Sequence, residues 1–225
     1  MRRSTTRPSL GHIRRGSALA GAVAAGALLV AGAASAAAAE VQREPMRWHM
    51  QSGNVHLSEV GAGARAKLVR TANGLSYSVR TDQLQPGHAY TVWVVVVNDP
   101  QNCSASPCSP QDIILNPATN GQVTYGTGHV VGMSGKSGFG GALRRGPLPA
   151  GWLPDQGLDD PQGAEVHLVF NDHGPKLSAF MPGMTHTYRA GCTDESLPPI
   201  FPPSAKADGT PGPNTCRLWQ LAVFE

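Results

Sequence analysis

The feature that most constrains the fold is an uninterrupted apolar run in the middle of the chain. From Ala89 to Val97 the sequence reads AYTVWVVVV, in which Thr91 is the one non-aromatic polar residue. β-Branched and aromatic residues favour strands, and a strand without alternation of polar and apolar residues is covered on both faces. The run stops at Asn98-Asp99-Pro100, because proline cannot donate to a sheet ladder. The sequence therefore predicts a central strand between two layers of side chains.

The remainder of the chain beyond residue 36 also favours strands over helices. Glycine and proline, with 27 and 19 copies in the chain, interrupt nearly every window that would need a helical apolar stripe. Short apolar or alternating segments separated by Gly/Pro turns are typical of an antiparallel sandwich or barrel. The candidate strands are residues 55–57, 64–70, 75–81, 89–97, 122–131, 139–143, 164–170, 185–188 and 218–224.

The approach to the central strand carries a second fold signal. Leu84-x-Pro86-Gly87-x-x-Tyr90 resembles a tyrosine corner, in which a tyrosine hydroxyl bonds to backbone a few residues upstream in Greek-key sandwiches. Two long Pro/Gly-rich stretches, residues 143–163 and 193–215, are predicted loops. Together these features predict an all-β, antiparallel Greek-key β-sandwich with long Pro/Gly-rich loops.

Residues 1–36 have the composition of a secretory leader. Five arginines and no acid accompany an apolar core from Ala18 to Gly32, followed by the small-residue cleavage signal Ala34-Ser35-Ala36. The core is shorter than the roughly 20 residues of a membrane span, so no span is expected after leader removal. The sequence predicts a signal peptide over 1–36, a loose N-terminal arm over 37–54 and a single β-sandwich domain over 55–225. The export route, general or twin-arginine, stays open.

Without the leader the chain is mildly acidic. The leader holds five of the 18 Lys and Arg and none of the 15 Asp and Glu, which leaves 13 basic and 15 acidic residues, a net charge near −2. Beyond Arg144-Arg145 the sequence has no basic cluster. This pattern predicts a secreted protein with an extracellular ligand or protein partner that remains open, and no nucleic-acid partner.

The cysteines point to disulfides. Cys103, Cys108, Cys192 and Cys216 are the four cysteines, an even number in a chain predicted to be exported. Three pairings are possible; we favour Cys103–Cys108 with Cys192–Cys216, because each joins nearest neighbours across a Pro/Ser-rich loop. The alternative, a metal site built from these sulfurs, lacks the usual C-x2-C spacing.

Four segments of the chain resemble a known family. GHAYTVWVVVVNDPQNC, GQVTYGTGHVVG, DPQGAEVHLVFNDHGP and a late pair of cysteines occur in order within residues 75–224. They are similar to an uncharacterised family of exported bacterial β-sandwich proteins with no assigned activity. The resemblance implies an exported β-sandwich with paired cysteines, and it supplies no catalytic residue.

The segment from Ala164 to Phe170 is the first candidate for chemistry. As a strand it places Glu165 and His167 on one face, and His173 follows at the strand's end. Such groups could act as base and partner or as metal ligands. The simpler interpretation is a hydrogen-bonded polar pair with a histidine in a turn. The sequence has no complete catalytic motif, so we expect no enzyme.

A second candidate site is rich in sulfur and imidazole. Met46, His49 and Met50 occur together in MRWHM, and soft ligands of this kind select Cu(I). With His167 and His173 they form an alternative hypothesis, a copper-binding protein; otherwise the methionines are packing residues. Trp152 in its loop is either a stacking platform for a ligand or a lid over the core. The leading hypothesis is a non-catalytic binding or structural module without a cofactor.

Overall fold

Two antiparallel sheets pack face to face in the computed structural model, which describes residues 38–148, 150–154 and 156–225. The predicted leader lies outside the described residues, and residues from Ala37 to Glu225 form one compact unit. The strands among the described residues are β1 (Glu40–Pro45), β2 (Arg47–Trp48), β3 (Arg65–Thr71), β4 (Gly74–Thr81), β5 (His88–Val97), β6 (Gly121–Val130), β7 (Ser137–Arg144), β8 (Gly146–Pro147), β9 (Gly157–Leu158), β10 (Glu165–Pro175) and β11 (Arg217–Phe224).

Helical structure in the described residues is confined to short segments. The α-helices are α1 (Pro110–Leu115) and α2 (Pro203–Ala207). The 3₁₀ turns are Met50–Ser52, Pro100–Asn102, Pro117–Thr119, Ser178–Phe180, Gly183–Thr185 and Asp194–Ser196. No helix of the described segments has the length and apolarity that crossing a bilayer requires.

The sheet order follows a Greek-key path. One sheet has the order β1-β3-β4-β7, the other has the order β2-β11-β10-β5-β6, and β8 pairs with β9. The chain leaves the four-stranded sheet after β4, forms the β5–β6 hairpin in the five-stranded sheet, and returns so that β7 pairs with β4. All these pairings are antiparallel. The predicted all-β sandwich is confirmed.

The central strand β5 is buried on both faces, as its sequence predicts. Tyr90, Val92, Val94 and Val96 enter the core between the sheets, and all are at most 1% exposed. The alternate residues from Trp93 to Val97 lie on the outer face, where irregular segments of the chain cover them. β5 pairs with β10 on one side and β6 on the other. No polar position is therefore needed along most of its length.

The tyrosine corner is present at the start of this strand. The Tyr90 hydroxyl accepts a hydrogen bond from the backbone N–H of Gln85 at 3.0 Å. Gly87, with φ of +77°, provides the left-handed turn that brings the chain back toward the strand. Burial raises the pKa of Tyr90, so its hydroxyl stays neutral.

A buried arginine closes one end of the sandwich. Arg70 is 1% exposed, and its guanidinium donates to Gln42 Oε1 at 2.8 Å and to the backbone oxygen of Ala164 at 2.6 Å. Further backbone acceptors are Pro161 and Phe224. These bonds link the four-stranded sheet to the ends of β10 and β11. Because the charge is desolvated, burial lowers the pKa of Arg70.

Both favoured disulfides are present. Cys103 is bonded to Cys108 beside α1, and Cys192 is bonded to Cys216 immediately before β11. Ser109 and Asp112 form a reciprocal capping box at the start of α1, which fixes that helix next to the first bridge. The bridges therefore hold irregular segments that cover the outer face of the five-stranded sheet.

The structure corrects several sequence expectations. Residues 37–54 are not a loose arm: β1 pairs with β3 over six residues, and β2 pairs with β11. Residues 55–57 and 185–188 do not form strands, and turns or bends occupy most of these positions. The alternation expected over 218–224 breaks at a β-bulge, since both Trp219 and Gln220 turn toward the four-stranded sheet, where Trp219 Nε1 and Gln220 Nε2 bond to Gln83 O and Asp82 O.

We predict that Tyr90→Phe lowers the free energy of unfolding by about 1–2 kcal/mol, because the Gln85 N–H loses its acceptor. The measurement is urea denaturation at pH 7. Tyr77→Phe is the matched control: Tyr77 also lies in the core, but its hydroxyl has no hydrogen-bond partner among the described residues. That control should be neutral or stabilising. Equal losses in the two variants would contradict the role of the corner.

Candidate functional site

An aromatic cluster lies on the outer face of the five-stranded sheet. Trp93 of β5 is at its centre, with the ring centroids of Trp152 and Tyr188 at 5.0 Å and 5.4 Å. Trp152 also packs against Tyr188 at 4.8 Å and Phe201 at 4.9 Å. Trp152 is 5% exposed, so it covers the sheet rather than standing free as an exposed platform. The strand supplies one ring and the loops supply the others.

A cavity of about 340 Å³ opens beside this cluster. Its floor is the outer face of β5, β10 and β11, including Val95, Val169 and Leu221. Its walls come from residues 107–114 around α1, from the loop of residues 49–57, and from the aromatic rings of Trp152, Tyr188 and Phe201. Most of its surface is apolar. Pockets of this size and character are the usual place for small-molecule ligands.

A buried carboxylate orients a histidine at the floor of the cavity. Glu165 Oε1 lies 2.5 Å from His167 Nε2 and also accepts the backbone N–H of Cys108 at 2.8 Å. Glu165 is 3% exposed and His167 is 7% exposed. The two side chains share one face of β10, as their spacing predicts, but His167 lines the cavity and Glu165 lies behind it. Donation of Nε2–H to the carboxylate leaves His167 Nδ1 as an acceptor.

Tyr188 provides a second polar group. Its ring lines the cavity and is 3% exposed, and its hydroxyl makes no hydrogen bond to any described residue. Burial raises the pKa of Tyr188, so the phenol stays protonated. The indole Nε1–H of Trp152 likewise has no acceptor within the described part of the chain. An apolar cavity with unpartnered polar groups is a feature of binding sites, since a ligand can supply the missing partner.

Histidines and a methionine line the same cavity near its open side. The Leu57 N–H bonds to Trp48 O at 2.9 Å, and this closes a loop that returns His56 beside His49, with ring centroids 6.2 Å apart. Met50 is 61% exposed. Burial, followed by the charge of His56, lowers the pKa of His49 to about 4. Sequence reasoning missed His56 because a short strand was predicted there, which would have carried it away from His49.

Two of the proposed copper ligands lie elsewhere. Met46 is fully buried in the core between the sheets. His173 is also fully buried: Nδ1 lies 3.0 Å from Ala190 O, and Nε2 lies 2.9 Å from Thr91 Oγ1. Within the described ranges, the one set of three His, Cys, Asp or Glu side chains whose ligand atoms converge within 4.8 Å is His173 with Cys192 and Cys216. Those sulfurs form a disulfide, so they are not thiolate ligands.

Comparison with known proteins gives no match: no protein-family model, no curated protein and no solved structure matches this chain. The resemblance to exported bacterial β-sandwich proteins therefore stays a prediction.

We predict a stability loss in acid that depends on His173. Burial lowers its pKa to about 4, whereas the unfolded chain titrates near about 6.5. The unfolded state therefore binds the proton first, and stability present above pH 6.5 is lost as the pH falls toward 4. His173→Gln should shrink the decrease in unfolding free energy between pH 7 and pH 5 by about 2 kcal/mol.

The measurement is urea denaturation at both pH values. His56→Gln, at an exposed position, is the control and should keep the wild-type pH dependence. An unchanged dependence in His173→Gln would show that other groups cause the acid sensitivity.

Proposed function

We propose that this protein is an exported, disulfide-bonded binding module whose cavity takes a flat apolar ligand that carries one hydrogen-bond donor. The observation that carries the proposal is an apolar cavity of about 340 Å³ containing two polar groups without partners, His167 Nδ1 and the Tyr188 hydroxyl. Export rests on the leader-like composition of residues 1–36 and on the two disulfides, which persist in oxidising compartments.

The shape and chemistry of the walls favour an aromatic ligand. Trp93, Trp152 and Tyr188 present ring faces and edges around the opening, and β-branched residues form the floor. Aromatic pairs gain about 0.5–1.5 kcal/mol beyond simple burial. A saturated ligand of equal size would bury similar area without this contribution. We therefore expect the site to prefer aromatic rings over saturated ones.

The polar groups favour a ligand with an O–H or N–H group. His167 Nδ1 accepts, and Glu165 holds the imidazole in the required tautomer. The Tyr188 hydroxyl can donate to the same ligand atom or to a neighbouring one. A ligand that satisfies buried polar groups gains their hydrogen bonds, whereas one that cannot do so leaves them desolvated and unpaired.

We predict that 2-naphthol binds the purified protein and quenches its tryptophan fluorescence. 2-Methoxynaphthalene, which lacks the donor, should bind about fivefold to tenfold more weakly, the value of one hydrogen bond. Cyclohexanol should bind more weakly than either. Isothermal titration calorimetry gives the affinities.

The variant Val169→Phe tests the location, because Val169 lies on the cavity floor and a larger side chain fills the space. Its affinity for 2-naphthol should fall at least about tenfold. Val69→Phe is the matched control, at a half-exposed strand position on the outer face of the other sheet. Retained affinity in Val169→Phe, or an equal loss in Val69→Phe, would place any binding elsewhere.

A second candidate function is soft-metal binding at the open side of the cavity. The specific observation is that His49, Met50 and His56 line one opening, with the two imidazoles 6.2 Å apart between centroids. Imidazole and thioether ligands suit Cu(I). The lowered pKa of His49, about 4, keeps that ring neutral and ready to bind a metal at pH 7.

We predict that His49→Gln/His56→Gln removes any rise in melting temperature that Cu(I) causes in the wild-type protein under reducing conditions that leave the disulfides intact. His88→Gln/His129→Gln is the control, since both histidines lie at the β5–β6 hairpin outside this opening. Val169→Phe should keep the metal response while losing 2-naphthol, which separates the two functions. The absence of a wild-type shift with saturating metal would eliminate this second candidate.

A further inference from the structure

The outer face of the four-stranded sheet is strongly cationic. Side chains alternate between its two faces, and the positions that point away from the core carry five basic residues. We use the term cationic face for these residues, which are Arg43, Arg65, Lys67, Arg80 and Arg144. They are five of the 13 Lys and Arg that follow residue 36. The concentration contrasts with the net charge near −2 of that part of the chain.

Strand register places like charges directly opposite one another. Arg43 of β1 pairs with Lys67 of β3, and Arg65 of β3 pairs with Arg80 of β4. Opposed side chains on one face lie about 5 Å apart at Cβ, and like charges in such pairs destabilise a sheet. Two such pairs in neighbouring rows form a compact group of four cations. The fold alone gives no reason for this arrangement.

Acidic residues do little to neutralise the group. None of the outward positions of β1, β3, β4 and β7 among the described residues is Asp or Glu. The ion pair recorded for the group joins Arg65 Nη1 to Glu59 Oε2 at 4.0 Å, and both side chains are about half exposed. Exposed pairs of this kind contribute little. The four cations therefore present most of their charge to the solvent.

The same face forms a shallow cleft. Its volume is about 590 Å³, and Arg43, Arg65, Lys67 and Arg80 line it together with Ser78 and Gly138. Beside the cations, β7 offers Gly138, Gly140 and Ala142 on its outward side. Small residues leave the backbone open to close approach by a chain. Large exposed apolar side chains are not among the described residues of the cleft except buried-edge Phe139, which is 5% exposed.

We infer that the cationic face binds a linear polymer that carries repeated phosphate groups and no bases. Three of the four clustered cations are arginines, whose planar fork binds phosphate oxygens in pairs. A cleft fits a chain, whereas membrane-surface binding uses exposed aromatic or leucine side chains that insert into the bilayer. Binding of single-stranded nucleic acid uses exposed aromatic rings on which bases stack. This inference is independent of the ligand cavity, which lies on the other sheet.

The sequence did not reveal this surface because the basic residues come from three separate strands. Arg43, Arg65, Lys67 and Arg80 span 38 positions of the chain and have no adjacent basic neighbour. The expectation of no polyanionic partner was drawn from adjacency in the sequence. Antiparallel pairing of β1, β3 and β4 removes that separation.

The test uses long-chain inorganic polyphosphate as the probe and isothermal titration calorimetry at several NaCl concentrations. The wild-type protein should bind with an affinity that falls as salt rises. Lys67→Gln/Arg80→Gln should weaken binding at least about tenfold and reduce the salt slope by about one for each cation removed. Its melting temperature should not fall, since the substitutions relieve like-charge repulsion.

Lys176→Gln/Lys206→Gln is the matched control, with the same change in net charge at positions after β10 and in α2. It should keep wild-type affinity. Equal weakening in both double variants, or no binding by the wild-type protein, would overturn the inference. So would equal or tighter binding to poly-glutamate, to single-stranded DNA or to vesicles of anionic phospholipid, since each would replace the phosphate polymer as the preferred partner.

Discussion

Burial of β5 on both faces is the constraint on which the rest of this structure depends. Residues from Tyr90 to Val97 are almost inaccessible to solvent on either side. The inner face needs a second sheet, and the four-stranded sheet supplies it. The outer face has no third sheet, so irregular segments must cover it, and the two disulfides tie those segments down. The apolar run thus determines both the sandwich and the need for ordered loops.

Covering a sheet with loops leaves room that a third sheet would fill. Rings of Trp152, Tyr188 and Phe201 come from separate segments and meet Trp93 at an angle, and a cavity remains beside them. Protein interiors otherwise pack at nearly crystalline density. The Glu165–His167 pair opens into this space with backbone support from Cys108. A structural feature that covers the strand therefore also creates the candidate site.

The two outer faces of the sandwich have opposite character. The outer face of the five-stranded sheet is covered, apolar and concave. The outer face of the four-stranded sheet is bare, and its exposed strand positions carry arginine, lysine, serine and glycine. Each face offers a different chemistry of recognition, burial of rings on one and attraction of anions on the other. Neither surface needs the other in order to act.

The sequence by itself determined those features that depend on neighbours along the chain. Strand periodicity placed Glu165 and His167 together, the Pro86-Gly87 turn predicted the Tyr90 corner, and nearest-neighbour spacing favoured the correct disulfides. Tertiary structure alone decided the rest: the return of His56 to His49, the separation of His173 and Met46 from the cavity, the strand in residues 40–45, and the opposed cations of β1, β3 and β4. The physical reason is that local patterns fix which face a side chain occupies, whereas the pairing of distant strands and the closure of loops fix which side chains meet.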